Sequence, residues 1–508
     1  MVRQMSKDAD PAESGLAPPR PNSAPPRSNV GQAKSVKRPP TPADTIPRPA
    51  QPSKRARCTL SRPDRLIKSR RTRSPSRHGR EQQQQPPPPR HHRLSLLETL
   101  PVEILEQIFL HSLNMNFPRA SPALAAAVSS ERIYRVLILL AFWDDDIEGV
   151  QTRPNPAINR LFLPLEYSPL RSAERARLQD AVFRCAWCTL DRVYAQLSTL
   201  VTLTVHRHWF GAGIVMDRDQ KDDLHRLLAR EYDGKHVFSA SGGPRGESEL
   251  SVTSLLAVVT VISLPALFPA VSLFTLPHHL IQGRRRGGFS EENTNFLEML
   301  RLTSGFYCTP WDRGSTHTPT VPHFDHAALH HGVQIAIRQR NINAVTCLLK
   351  IDEFANRSST RGREFYLIPA DHFRAAVRIS RQNLDPTFFQ TLFRASAESI
   401  PADDDEITQW LVDIIERGTD KARAFAHWFF DFMLSFPTHL EVAKQALGQQ
   451  QTGQLFCYGE LNVETQMGKR YMEEVIEPYA GPVGETHNWI EDTFFDPVTK
   501  GYGTVSCV

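Results

Sequence analysis

Few residues in this 508-residue chain combine a reactive type with a spacing that chemistry needs. Cys185-Ala186-Trp187-Cys188 has the gap of one arm of a zinc site, and His206 and His208 follow it. Two thiolates and two imidazoles would make a tetrahedral set, but finger-type sites separate their histidines by about three to five residues, and here a single residue intervenes. The competing reading makes Ala173 to Leu203 one or two helices that carry Cys185, Trp187 and Cys188 as core or near-core residues. It suits these residue types better, so neither a metal nor a cofactor is expected. Asp144 to Asp146 and Asp403 to Glu406 are dense enough in carboxylates for acid–base work. Both border helical patterns, however, where negative charge and short polar side chains serve as caps and solvated turns. The chain has no G-x-S-x-G elbow, P-loop, H-E-x-x-H pair or dinucleotide fingerprint. What remains points to binding, and a non-catalytic chain is expected.

The stretch best suited to binding runs from Leu94 to Trp143. Pro101 fits a first helical turn, where its missing N–H leaves nothing unsatisfied, and Glu103 sets a negative charge near the helix's positive end. Ile104, Leu105, Ile108, Phe109 and Leu113 then recur every three to four residues as one apolar stripe, with Glu106, Gln107 and His111 off it. Asn114 to Pro118 reads as a stop. Ser121-Pro122 reads as a cap with proline at the first helical position, and Ser129-Ser130-Glu131 opens a helix carrying Ile133, Val136, Leu137 and Leu140. Three short helices in about fifty residues make a small core, which a partner surface would help to complete.

On Leu100-Pro101, Glu103-Ile104-Leu105, Ile108-Phe109 and Leu113, followed by Asn114 to Ala120 and Ser129 to Trp143, the stretch resembles an F-box, and more closely the F-box-like segment of a large group of fungal proteins. The resemblance implies a module that docks on an SKP-type adaptor of a cullin-RING ubiquitin ligase, while the rest of the chain selects the protein to be ubiquitylated. It makes Leu100, Pro101, Glu103, Ile104, Ile108, Phe109 and Leu113 the candidates for the adaptor contact. The second half departs from the common pattern, with Tyr134 and Phe142-Trp143 in place of Val-x-x-x-Trp. The Cys-x-Trp-Cys run at Cys185 extends the resemblance without assigning any chemistry.

Charge is spread unevenly: residues 1–93 hold 21 Lys and Arg against 6 Asp and Glu, and the remainder 39 against 49. The same 93 residues contain 18 of the 39 prolines and the run Gln82 to Pro89, with few aliphatic side chains. They cannot offset the entropy of ordering and are expected to be disordered. Lys54, Arg55 and Arg57, then Lys68, Arg70, Arg71 and Arg73, resemble a bipartite nuclear-localisation signal read by an importin; a solvated or nucleic-acid-binding tail fits the same residues. Phosphorylation at Ser74-Pro75 would lower the local positive charge. The tail has no aromatic residue on which a single-stranded base would stack. Seven scattered cysteines and an N-terminus without an apolar signal core favour reduced thiols, in the nucleus, the cytoplasm or both.

Ser251 to Ile281 contains no Asp, Glu, Lys or Arg and is long enough to cross a bilayer. Pro265, Pro269 and the β-branched run favour a buried strand or helix pair instead, and no membrane span is expected. From Ala327 onward, Gly332 to Arg338, Asn341, Ala344-Val345 and Leu348-Leu349 resemble the paired helices of a degenerate ankyrin repeat. Phe373 to Arg378, Asp385 and Phe388 to Phe393 repeat the layout loosely, and a third pair comes in Ile407 to Ile415 and Ala422 to Leu434. Without a Thr-Pro-Leu-His opening, an irregular helical lobe is the plainer description. Tyr479 to Val508, with Trp489, Phe494, Phe495 and Tyr502, reads as an extended strap over the body.

The expected fold is therefore mostly α. A disordered tail (1–93) precedes an F-box-like three-helix module (94–148), a helical middle lobe (149–325), a helical lobe resembling degenerate ankyrin repeats (326–447) and a C-terminal strap (448–508). The expected role is the substrate-recognition subunit that links a target protein to an SKP-cullin-RING ligase. The alternative is a nuclear scaffold or nucleic-acid-associated protein that uses the basic tail without ligase assembly.

Overall fold

Helices account for most of the described residues, and the way they pair decides the architecture. The computed structural model describes residues 95–144, 156–163, 165, 167–229, 236–243, 246–252, 256–261, 264–283, 288–306, 321–360, 364–445, 454–457, 461–462, 464–476 and 489. Both basic clusters of the tail, and Tyr479 to Val508 apart from Trp489, lie outside the described residues. The described earlier part of the expected 448–508 strap is not extended but folds into short helices at Gln454–Cys457 and Gln466–Arg470 and a π-helical turn at Tyr471–Ile476. The described part is mostly helical.

Helix α1 (Val102–Ser112) starts directly after Pro101 and ends where Leu113 takes a left-handed φ of 47°. The expected stop after it holds a further single-turn helix, α2 (Phe117–Ala120), because Pro118 falls in the first turn, where a proline sacrifices no hydrogen bond. Helices α3 (Pro122–Ala127) and α4 (Glu131–Phe142) come next, each opened by a serine: Ser121 Oγ accepts from the Leu124 amide at 3.2 Å, and Ser130 Oγ from that of Ile133 at 3.4 Å. The module thus has four α-helices, preceded by a 3-10 turn at Leu97–Thr99, where three helices were expected. From Val136 to Trp143 every residue of α4 and its cap is buried, so α4 belongs to the core of the middle lobe as much as to the module.

The middle lobe continues with α5 (Pro156–Leu161), α6 (Ser172–Phe183), α7 (Leu190–Ala195), α8 (Leu197–His208) and α9 (Arg218–Leu228). Helix α4 packs on α6 and α8. The lobe is not wholly helical as expected: strands β1 (His236–Gly243), β2 (Gly246–Val252), β3 (Leu256–Val261) and β4 (Leu264–Pro269) form an antiparallel meander in sequence order. Alternation explains it locally, since Phe238 and Ala240 face inward opposite Leu250 and Ser248 while Val237 and Glu249 face water. Pro265 and Pro269 stand four residues apart on β4, an edge strand, where an absent N–H on the open side breaks no ladder bond. Among the described residues no helix is long and apolar enough to cross a membrane. Fully buried Gln179 of α6 clamps the chain beyond the sheet to α4: its Nε2 donates to the carbonyls of Ala141 (3.1 Å) and Ser272 (2.8 Å), and its Oε1 accepts from the Phe274 and Thr275 amides.

Helices α10 (His278–Ile281) and α11 (Glu291–Thr303) follow, and then three packed pairs: α12 (His326–Arg338) with α13 (Ile342–Thr360), α14 (Ala370–Ser380) with α15 (Thr387–Ala395), and α16 (Asp405–Arg417) with α17 (Asp420–Gln445). Helix α10 packs on α12, α12 on α14 and α14 on α16, and α11, α13 and α15 pack likewise. The stack therefore begins before residue 326, the expected lobe boundary. Polar side chains open the second helices: Asn341 Oδ1 accepts from the Ala344 amide at 2.9 Å, Asp385 Oδ1 from Thr387 at 3.0 Å and Thr419 Oγ1 from Ala422 at 3.3 Å. Gly332 lets α12 close on α10, since a Cβ there would lie 1.9 Å from the Ile281 carbonyl oxygen. Phe389 of α15 meets Trp410, Phe425 and Phe429 with ring centroids 5.1 to 6.1 Å apart, joining the last two pairs.

Candidate docking surface

Helix α1 is apolar over an arc too wide for one core to cover. Leu105, Phe109 and Leu110 face inward, with Phe109 only 1% exposed and its ring 5.8 Å from that of Phe117. Buried Glu106 sits among them, held by Arg132 and by Ser130 Oγ at 3.2 Å, which fixes α1 against the start of α4. The opposite side carries Ile104 and Ile108, with Ile104 41% exposed, and Val102, in the first turn above the inward face, is also exposed. Leu100 and Leu96 continue this apolar crest N-terminally, and Leu96 is 90% exposed. The turn that presents them is rigid: the Ser95 amide donates to Glu98 Oε2 at 2.6 Å and the Glu98 amide to Ser95 Oγ at 3.3 Å, a reciprocal capping box. Hydrogen bonds from Ser121 and Ser95 hold the Glu98 carboxyl below its ordinary range.

The structure divides the expected contact set. Leu100, Pro101, Glu103, Ile104 and Ile108 are at the surface, Leu113 is half-buried against the core, and Phe109 is inside it. Phe109 thus supports the surface from below rather than lining it. The residues at which the sequence departs from the common F-box pattern are structural: Phe142 and Trp143 are buried, while Tyr134 stacks on Trp187 at 4.5 Å with the Arg192 guanidinium 4.9 Å from its ring. No family model, curated protein or solved structure matches the chain.

The other sequence candidates resolve into structural roles. Cys185 to Cys188 lie in the turn between α6 and α7, where a helix was expected; Cys188 is buried, and Cys185 Sγ donates to the Ala181 carbonyl at 3.3 Å. His208 stacks on Phe268 with centroids 3.6 Å apart. Among the described residues no group of His, Cys, Asp or Glu could hold a metal ion. In the acidic runs, Asp144 pairs with buried Arg175, Asp404 caps α16 and takes Arg374 at 2.7 Å, and Glu406 takes Arg378 and Arg381.

A second feature has no counterpart among the sequence expectations: charged and polar side chains are buried along α13. Asp352 accepts from Tyr366 Oη at 2.9 Å, lies 2.7 Å from His326 Nδ1, and has His330 Nε2 at 3.5 Å. His330 Nδ1 is in turn 3.2 Å from Nε2 of fully buried His372. Burial drives the His372 imidazole down to about 4, with His330 adding to the effect. On the same helix Glu353 Oε2 accepts from the Trp489 indole at 2.8 Å, Arg357 lies 3.4 Å from Oε1, and the Lys350 ammonium is 4.9 Å from the Trp489 ring centroid. Burial lifts the Glu353 carboxyl to about 7, against the pull of Arg357 and of the indole N–H. Lys350-Ile351-Asp352-Glu353 reads as a solvated face; the aromatic character of Trp489 was the one available signal that something covers it.

Proposed function

We propose that this chain is a substrate receptor of an SKP-cullin-RING ubiquitin ligase, with the crest formed by Leu96, Leu100, Val102, Ile104 and Ile108 as its adaptor contact. The observation that carries the reading is the split of α1: one face is committed to the chain's own core, while Ile104 and Ile108 on the other, and Leu96, Leu100 and Val102 at its start, leave large apolar side chains in water. Such a group marks an association surface, and its place coincides with the F-box-like residues. In this reading the stacked helices from α10 to α17, ankyrin-like in their nearest-neighbour packing, select the client protein. The basic tail directs nuclear import. The chain contributes recognition and no catalysis.

Co-purification with an SKP-type adaptor tests the proposal. Ile104→Ala with Ile108→Ala, folded as judged by circular dichroism, is expected to weaken adaptor binding on the order of 100-fold, the loss of several buried methyl and methylene groups. A wild-type chain that captures no adaptor would end the ligase reading.

A further inference from the structure

Side chains that belong at a surface face inward along α13. Lys350, Glu353 and Arg357 are buried, although Lys, Glu and Arg are almost never fully buried unless paired. Part of what covers them comes from 136 residues further along the chain: the indole of Trp489, N–H edge on Glu353 and π face toward Lys350. Both halves of that contact are specific to the ring. An indole offers a cation a π face and an acid a donor at once; phenylalanine would supply the first and leave the buried carboxyl without its donor. Pro478, Gly481, Pro482 and Gly484 precede Trp489, residues that punctuate helices and strands rather than extend them.

We infer that the Lys350–Glu353 face of α13 is an exchangeable indole-binding socket, filled in cis by Trp489 and open to a tryptophan presented in trans by a bound protein segment. Exchange is favoured by the socket's chemistry. When the ring leaves, the sides of Lys350 and Glu353 that it covers become reachable by water, which offsets part of the lost contact; an apolar socket would gain nothing in return. The inference does not depend on the adaptor reading, since α13 and α1 share no residue of either site.

The test uses the full chain with Trp489→Ala, its fold checked by circular dichroism, titrated with indole and with 1-methylindole, which keeps the ring but lacks the N–H. Indole is expected to bind about tenfold more tightly than 1-methylindole, the equivalent of one buried hydrogen bond, and Glu353→Leu in the same background should abolish the difference. Equal affinities, or no binding of either compound, would overturn the inference. If Trp489→Ala does not fold, hydrogen exchange of the wild-type chain is measured with and without millimolar N-acetyltryptophanamide. Faster exchange in residues 477–508 is then expected, and unchanged exchange there overturns the inference equally.

Discussion

Acid acts on two buried groups of this chain in opposite directions, and two substitutions separate them. His372 is fully buried between His330 and the neighbourhood of Asp352 and Asp371, and its imidazole is driven from the ordinary 6.5 to about 4. Between those values the unfolded chain binds a proton that the native chain refuses, so this group's contribution is lost as the pH falls through that window. Glu353, facing Arg357, Trp489, Arg394 and Glu398, is lifted from 4.5 to about 7. There the native chain keeps a proton that the unfolded chain has released, and the contribution is lost as the pH rises toward 7. At about 1.4 kcal/mol per pH unit, each group is worth on the order of 3 kcal/mol, and the two slopes nearly cancel in the wild type. His372→Leu removes the first slope. Relative to wild type, its urea-unfolding free energy is expected to drop by about 3 kcal/mol between pH 4.5 and 7. Glu353→Gln removes the second, and its difference from wild type is expected to rise by about as much over the same range. Difference curves within about 0.5 kcal/mol of flat for both variants would refute the argument that burial sets the protonation of these side chains.

Two further substitutions probe the helix packing. Phe109→Ala should cost about 3–5 kcal/mol in urea unfolding, while Ile104→Ala, on the exposed side of the same helix, should cost less than about 1 kcal/mol; similar losses would mean that α1 does not divide its faces in this way. Gly332→Ala forces α12 away from the Ile281 carbonyl and should destabilise by about 1–3 kcal/mol, and a neutral result would exclude the close approach of α10 and α12.

The helical stretches were legible where periodicity and caps agree. Pro101 and Glu103 at the start of α1, Ser121 and Ser130 as caps, and the three pairs after residue 326 all come from local residue types, because a helix's apolar stripe and its first-turn donors are satisfied nearby in sequence. The meander was harder to read. Ser251 to Ile281 is uncharged throughout, which suits a buried helix and a strand equally, and only pairing with residues 236–252 decides between them. Pro118 read as a breaker because its position relative to the new first turn is fixed by packing. Of the docking surface, the residue types were visible in the sequence, but not which of them the core takes: Ile104, Leu105, Ile108 and Phe109 read as one stripe, and only the placement of α3 and α4 sends two of them outward. The buried charges of α13 left no local mark at all, since their cover comes from residues distant in sequence, Tyr366 over Asp352 and Trp489 over Glu353.

Helical pairs that touch only their neighbours behave like a chain of dominoes, and each can come apart without the rest. The indole on α13 is an exception, because Trp489 lies beyond the last pair in sequence yet is bonded to the second helix of the α12–α13 pair. It ties a residue near the far end of the chain to the middle of the array, so that unseating the indole uncovers α13 itself. With the indole seated, opening of the α12–α13 pair must also give up the buried Glu353–Trp489 bond, which sets that pair apart from its neighbours.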